Sequence, residues 1–489
     1  MNNEHEAAQI TPEADRYKWK VLITVAVGTF MATVDASITN IAFPILTKVF
    51  RAELTTVVWV TVAYILVSTS SMLIIGRIGD IMGRKRIYAA GMGIFTLGLL
   101  ACSMAQSIGQ LIFFRTLQAI GAAMTISTSI ALVTKAFPRN EVGKGIGFLA
   151  ISVSGGFVIG PILGGFLLDW LDWRSIFYVR APIGLGGFLL AVALLKRDQA
   201  PGGVVKLDLL GTLTSSAGIF LFVFGVNRIR DYGLSSPLVY LIIGVGLLFL
   251  ILFSFVERHA RDPIVVLTLF KNRVFSSAMW ALFLSFVAVP PYLMVMPFYL
   301  IQGRGMSPSQ AGMLMAVTAV FTMVVGPLSG SLSDRFGPFR FAAFGAGAIG
   351  AAFCIMLLFD LQTPLTLIIP SLVLLGIGIG SFQAPNNSII MGAVTRDRLG
   401  TASALIATLR QAGFSVGMAL AGTFFSVRRA FHASLIQGGN PSDVSATNLA
   451  IPSAFHEVLL LAIIFQCIVF LLCVVGGRAG PSGRATIIH

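Results

Sequence analysis

The stretch Gly76-Arg77-Ile78-Gly79-Asp80-Ile81-Met82-Gly83-Arg84-Lys85-Arg86 decides how the rest of the chain is read. It lies between two apolar segments, each long enough to cross a bilayer, and is too short and too charged to be anything but their connection. Gly76, Gly79 and Gly83 let two helix ends turn tightly and approach a neighbour. Arg84, Lys85 and Arg86 set three positive charges at one membrane face, which marks that face as cytoplasmic. Asp80 is an acid among bases, suited to hold a partner arginine or to sit at a helix N-terminus. A weaker copy follows at Gly330-Ser331-Leu332-Ser333-Asp334-Arg335-Phe336-Gly337-Pro338-Phe339-Arg340. Gly76, Asp80, Gly83 and Arg86 recur there as Gly330, Asp334, Gly337 and Arg340, each 254 positions on. One charged loop is a common accident; two at a fixed offset mark a duplicated chain.

Composition agrees with that reading. Of the 489 residues, 56% are hydrophobic and 11% charged, whereas a soluble globular protein carries about 25% charged residues. The chain is therefore solvated mainly by lipid. A formal charge of +14 suggests nucleic acid at first sight, but the bases return at alternate loops, as topology signals do, so no nucleic-acid partner is expected. Cys102, Cys354, Cys467 and Cys473 all fall in apolar segments without metal-ligand spacing and read as packing residues. Met1 to Lys20 is polar and lacks the pattern of a cleavable signal peptide, so the first span is expected to be retained.

Apolar runs of about 20 residues occur fourteen times, at 20–44, 57–77, 87–106, 110–134, 144–168, 175–195, 208–226, 237–256, 274–301, 310–332, 341–360, 365–391, 402–425 and 457–476. An even number puts both termini on one side, and the Lys/Arg-rich loops place that side in the cytoplasm. The expected fold is an all-α integral membrane protein with 14 transmembrane helices. Two pseudo-symmetric six-helix halves each carry an Asp-bearing loop after their second span, and two further helices are inserted between them. The corresponding divisions are a cytoplasmic tail at 1–19, an N-terminal half at 20–195, linkers with the inserted spans within 196–273, a C-terminal half at 274–476 and a cytoplasmic tail at 477–489. The polar stretch from Ser426 to His456 reads as a long outer connection. Gly345-Ala346-Gly347-Ala348-Ile349-Gly350 spells a dinucleotide fingerprint, but it sits inside a span with no preceding strand and reads as a helix-packing stripe.

Ionisable side chains deep in a span cost roughly 2.5–3.5 kcal/mol each on insertion scales. Asp35, Arg115, Arg180 and Arg410 therefore each need a reason. Asp35 lies about 22 Å along span 1 at 1.5 Å per residue, and Arg115 enters span 4 from the outer side, so the two reach similar depth. They form either a buried ion pair that holds two spans together or a titrating carboxylate regulated by an arginine. All five histidines fall outside the spans, leaving Asp35 as the deep group suited to exchange a proton. Gln118, Tyr292, Gln383, Asn386 and Asn387 are further polar candidates for a central cavity, or for interhelical hydrogen bonds. Pro290, Pro291 and Pro297 interrupt span 9 and suggest a gate or a fixed kink.

The Gly76–Arg86 loop resembles the signature of the major facilitator superfamily of secondary transporters. Met31-Ala32-Thr33-Val34-Asp35-Ala36-Ser37-Ile38-Thr39-Asn40-Ile41-Ala42-Phe43-Pro44 is similar to the span-1 motif of its fourteen-span drug:proton antiporters, with Ser37 where threonine is usual. Arg115-Thr116-Leu117-Gln118-Ala119-Ile120-Gly121-Ala122-Ala123 resembles the span-4 motif, and Gly155-Gly156-Phe157-Val158-Ile159-Gly160-Pro161-Ile162-Leu163-Gly164-Gly165 matches the span-5 antiporter motif. Trp173-Arg174-Ser175-Ile176-Phe177-Tyr178-Val179-Arg180 resembles the entry to span 6, except that Arg180 replaces an asparagine, a charge expected near the outer mouth of the cavity.

The resemblance implies a proton-coupled antiporter that exports amphipathic drug-like compounds by alternating access, with Asp35 and Arg115 coupling the proton. Gly76, Asp80, Gly83, Arg84, Asp334, Gly160, Pro161 and Gly164 would serve gating. It implies that Asp80 meets the start of span 13 near Gly400-Thr401, and Asp334 the start of span 5 near Gly143. Gln118, Tyr292, Arg180, Gln383, Asn386, Asn387 and Arg410 would line the substrate cavity. No cofactor beyond the proton gradient and no metal is expected, and a monomer in the cytoplasmic membrane is. The second reading is a dedicated exporter of a lipid, fatty acid or secreted metabolite on the same fold. A passive channel is disfavoured by the duplicated hinges, and an enzyme by the lack of a catalytic Ser/Cys/His set.

Overall fold

In lipid a backbone amide or carbonyl finds no water, so apolar runs satisfy their polar groups internally as helices. The computed structural model describes residues 12–138, 141–196, 209–232, 236–259, 267–394, 399–436 and 448–479, and these contain no strand. Twelve helices among the described residues are long and apolar enough to cross a membrane, against the fourteen read from sequence. Both remaining segments are helical as well, Leu209–Tyr232, apolar over Leu213–Val226, and Leu399–Ile436. The latter helix also continues ten residues past Ser426, where a loop is expected from sequence; no glycine or proline interrupts it before Gly438.

The helices used below are α1 (Pro12–Ile41), α2 (Phe43–Val49), α3 (Leu54–Met82), α4 (Arg84–Ser103), α5 (Ile108–Ala136), α6 (Val142–Trp170), α7 (Ser175–Tyr178), α8 (Ala181–Leu194), α9 (Leu209–Tyr232), α10 (Pro237–His259), α11 (Arg273–Ala288), α12 (Pro290–Pro297), α13 (Pro308–Phe336), α14 (Pro338–Met356), α15 (Leu365–Gly392), α16 (Leu399–Ile436) and α17 (Ile451–Ala479). α11 and α12 are one interrupted span: Pro290 and Pro291 remove backbone donors at the break, and a π turn at Phe298–Gly303 follows Pro297.

The duplicated loop has a duplicated backbone. Gly83 ends α3 at φ 96°, ψ 129°, and Gly337 ends α13 at φ 95°, ψ 126°, a conformation that favours glycine. The helices that follow also cross their neighbours alike. A Cβ on Gly91 of α4 would stand 2.9 Å from the Gly121 carbonyl oxygen of α5. A Cβ on Gly345 of α14, 254 positions later, would stand 2.7 Å from the Gly378 oxygen of α15. The fingerprint-like glycines thus begin a backbone-to-backbone helix crossing.

At the end opposite the Gly83 and Gly337 turns, α6 is held between α1 and α13. A Cβ on Gly160 would lie 1.8 Å from Ser37 Oγ, and one on Gly164 2.7 Å from Ile38 Cγ1. A Cβ on Gly312 of α13 would lie 2.2 Å from the Pro161 oxygen. Two hydrogen bonds join the same end: the Ser309 N–H donates to Asp169 Oδ2 at 2.9 Å, and Gln302 Nε2 to the Pro44 oxygen at 3.3 Å. α9 and α10 pack on each other, and α9 also lies against α3 and α16, with Ser216 Oγ donating to the Ser70 oxygen at 2.5 Å. Cys102 and Cys473 are buried, whereas Cys354 and Cys467 are exposed on the outside of the bundle and are not core packing.

Candidate functional site

Asp35 on α1 is completely buried, and both its oxygens are held. Arg115 and Gln118, three residues apart on α5, share one helix face and converge on it. Arg115 Nη1 is 2.6 Å from Asp35 Oδ2, and Gln118 Nε2 donates to Oδ1 at 3.1 Å. Arg180, immediately before α8, brings a second guanidinium: its Nη1 is 2.7 Å from Oδ1. Arg115 also donates to Gln118 Oε1 at 2.9 Å, to the Val60 oxygen at 3.1 Å and to Thr39 Oγ1 at 3.4 Å. Its guanidinium lies 4.3 Å from the centre of the Tyr64 ring. Arg180 Nη2 is buried without a hydrogen-bond partner.

The cluster therefore holds one acid and two bases, all at most 1% exposed. Arg180, expected at the outer mouth of the cavity, is buried and pairs with Asp35. Tyr64 and Thr39 were not legible as site residues, because hydroxyls in apolar runs usually bond their own helix, as Thr39 also does to the Asp35 carbonyl. Nothing local in the sequence links Asp169 to Ser309, whose N–H it accepts.

The other candidates lie apart from Asp35 or are only half enclosed. Tyr292 is buried with its hydroxyl 3.2 Å from Thr318 Oγ1. Asn386 donates from Nδ2 to the Ala278 oxygen at 3.1 Å, tying α15 to α11. Gln383 and Asn387 are half-buried, and Asn387 Oδ1 lacks a partner. Arg410 is half-buried with its guanidinium 5.2 Å from the centre of the Phe286 ring. Arg84 Nη1 donates to the Ala131 oxygen at 3.4 Å. The side chains of Asp80, Asp334 and Thr401, and the region around Gly143, lie outside the described residues.

An ion cluster sealed inside a lipid-spanning helix bundle, beside a glycine- and proline-rich helix, is the build of a membrane transporter rather than an enzyme. Residues 25–418 match the family model of the Major Facilitator Superfamily, and the chain belongs to that superfamily. It is 34% identical to the riboflavin transporter RibZ of Clostridioides difficile over 84% of this chain and 89% of that protein. It is 30% identical to the multidrug resistance protein Stp of Mycobacterium tuberculosis, over 84% of this chain and 76% of Stp. The fold is similar to that of a bacterial homologue of the human lysosomal transporter Spinster, solved in an inward-facing, unoccupied conformation. The TM-score is 0.67 at 19% identity, covering 97% of this chain and all of that one.

Proposed function

We propose that the protein is a proton-coupled antiporter that exports amphipathic, drug-like compounds across the cytoplasmic membrane by alternating access. The observation that carries this reading is Asp35, fully buried and bonded to two arginines on different helices. A carboxylate held this way exchanges a proton only when its arginines move or water enters, which ties protonation to the conformation of α1, α5 and α8. In the cycle we infer, opening of the outer end admits water to Asp35. Its protonation loosens Arg115 and Arg180, and deprotonation toward the cytoplasm restores the pairs as substrate is carried the other way.

The same reading completes the topology. α9 and α16 are counted as spans, giving fourteen, with two pseudo-symmetric halves and an inserted pair; the matching turns at Gly83 and Gly337 support this. The Gly83 and Gly337 end is cytoplasmic, with both termini there, because Arg84, Lys85 and Arg86 lie at it. The end joined by Asp169 and Ser309 is then the outer one, and this form is closed outward. Gly160, Pro161 and Gly164 let α6 bend as it opens. Asp80 and Asp334 latch the cytoplasmic side in the opposite state. The protein works as a monomer. Likeness to RibZ favours one second reading, a dedicated exporter of a metabolite.

The test is uphill export from proteoliposomes with an imposed pH gradient, with and without an uncoupler. Asp35→Asn alone would change the cluster's charge from +1 to +2 and confound folding with coupling. Asp35→Asn combined with Arg180→Asn keeps it at +1 and is the cleaner variant. It should bind substrate but not concentrate it. Uphill export by that double variant, or export indifferent to the uncoupler, would remove proton coupling at Asp35. A panel of drug-like dyes and flavins separates the two substrate readings.

A further inference from the structure

Among the described residues, no acid of its own helices lies within ion-pair distance of Arg410. Along α16 it stands about 16 Å from the helix start at 1.5 Å per residue, near the middle of a hydrocarbon layer about 30 Å thick. Arginine keeps its charge at any ordinary pH, and a charge at that depth needs compensation. Arg115 and Arg180 obtain it from Asp35. Arg428, at the far end of the same helix, pairs with Glu457. Arg410 has no acidic partner within ion-pair distance among the described residues, and its Nε is buried without a hydrogen-bond acceptor.

What Arg410 does have is a fixed pose. A Cβ on Gly413 would stand 2.6 Å from the Phe283 oxygen, and one on Gly417 2.5 Å from the Val287 oxygen, so α16 is pressed onto α11. That crossing sets the guanidinium beside the Phe286 ring. A guanidinium packed on an aromatic ring keeps its N–H fork in its own plane, where Nε and one Nη can take both oxygens of a carboxylate or phosphate. Here the Nε half of that fork is unoccupied, and the side chain is only half enclosed.

We infer that Arg410 is a specificity-determining residue that recognises an anionic oxygen group (carboxylate, sulfonate or phosphate ester) on the transported compound. This rests on the proposed function only in requiring that the interior bind a transported compound. The substrate class is then anionic or zwitterionic amphiphiles, with the apolar part against Phe286 and neighbouring apolar side chains and the anion on Arg410. Dications are disfavoured, since each would bring further positive charge to an interior already carrying Arg410 and the net +1 Asp35 cluster.

The experiment measures equilibrium binding to the full chain in lipid nanodiscs, without any proton gradient, by fluorescence polarisation. Fluorescein and rhodamine 123 share a ring skeleton and differ in charge, and serve as the two probes. The intact protein should bind fluorescein at least fivefold more tightly than rhodamine 123. Arg410→Gln should weaken fluorescein at least tenfold and rhodamine 123 less than twofold, while Arg410→Lys, which keeps the charge but loses the Nε–Nη fork, should weaken fluorescein by an intermediate factor of about three to five. Equal weakening of both probes by Arg410→Gln, or an unchanged fluorescein affinity, would overturn the inference. So would a preference for rhodamine 123 in the intact protein. If Arg410→Gln does not fold, Phe286→Ala and Arg410→Lys are read instead. Phe286→Ala should reduce the preference for fluorescein, and a preference that neither variant moves counts against the site. Charge-selective binding without proton-driven export would preserve this inference and sink the coupling mechanism, so the two fail separately.

Discussion

Arg115 and Arg180 both pair with Asp35, yet their removal should have opposite consequences. Arg115→Ala strips Asp35 Oδ2 of its donor and takes a second donor from the Val60 carbonyl, both in a fully buried setting. Breaking one partner out of a buried pair costs about 3–5 kcal/mol. Arg180→Asn leaves no carboxylate oxygen bare, because Oδ1 keeps Gln118 Nε2 at 3.1 Å and Oδ2 keeps Arg115 at 2.6 Å. It also brings the buried charge from +1 to zero and removes the orphaned Nη2. Its effect should lie between no change and a gain of about 2 kcal/mol, in the range seen when surplus buried charge is replaced. Thermal melts of the purified variants in one detergent, followed by tryptophan fluorescence, should rank Arg180→Asn at or above the intact protein and Arg115→Ala well below it. Equal destabilisation by the two substitutions would refute the charge-balance reasoning and mean that Arg180 holds the fold as firmly as Arg115.

Three further outcomes are expected. Asp169→Ala removes the acceptor of the Ser309 N–H, an exposed charge-assisted bond worth about 1 kcal/mol. Hydrogen exchange at Ser309 should therefore speed about fivefold, and an unchanged rate would mean that other contacts alone keep that end closed. Gly312→Ala places a Cβ 2.2 Å from the Pro161 oxygen and should cost about 1–3 kcal/mol against this closed form. Transport should fall while expression and melting hold, and transport at the normal rate would show that α6 and α13 are free to shift there. Gly83→Ala and Gly337→Ala impose the same backbone strain, since the two φ angles differ by one degree. Melts should fall by similar amounts in the two variants, and a large difference would argue that the two turns are not equivalent.

The all-helical, membrane-spanning build and the duplicated turn could be read from the chain because they are local. A run of apolar residues in lipid has no alternative to helix, and a glycine required at positive φ leaves its mark at a fixed position, as Gly83 and Gly337 do. Asp35 and Arg115 announced themselves because an ion in an apolar run is conspicuous without any partner in view. α9 and α16 are likewise legible as apolar runs, although Arg410, Gln411 and Ser415 interrupt that of α16. Which charges meet was decided only in three dimensions. Arg180 is 145 positions from Asp35 and occupies the turn before α8, where the sequence is equally compatible with facing a cavity. Its direction is fixed by how α7 and α8 pack against α1 and α4. Asp169 and Ser309 meet for the same kind of reason, since α6 and α13 come close only where glycine removes the side chains between them. Electrostatic partnership depends on distance through space, and that distance is set by helix packing rather than by separation along the chain.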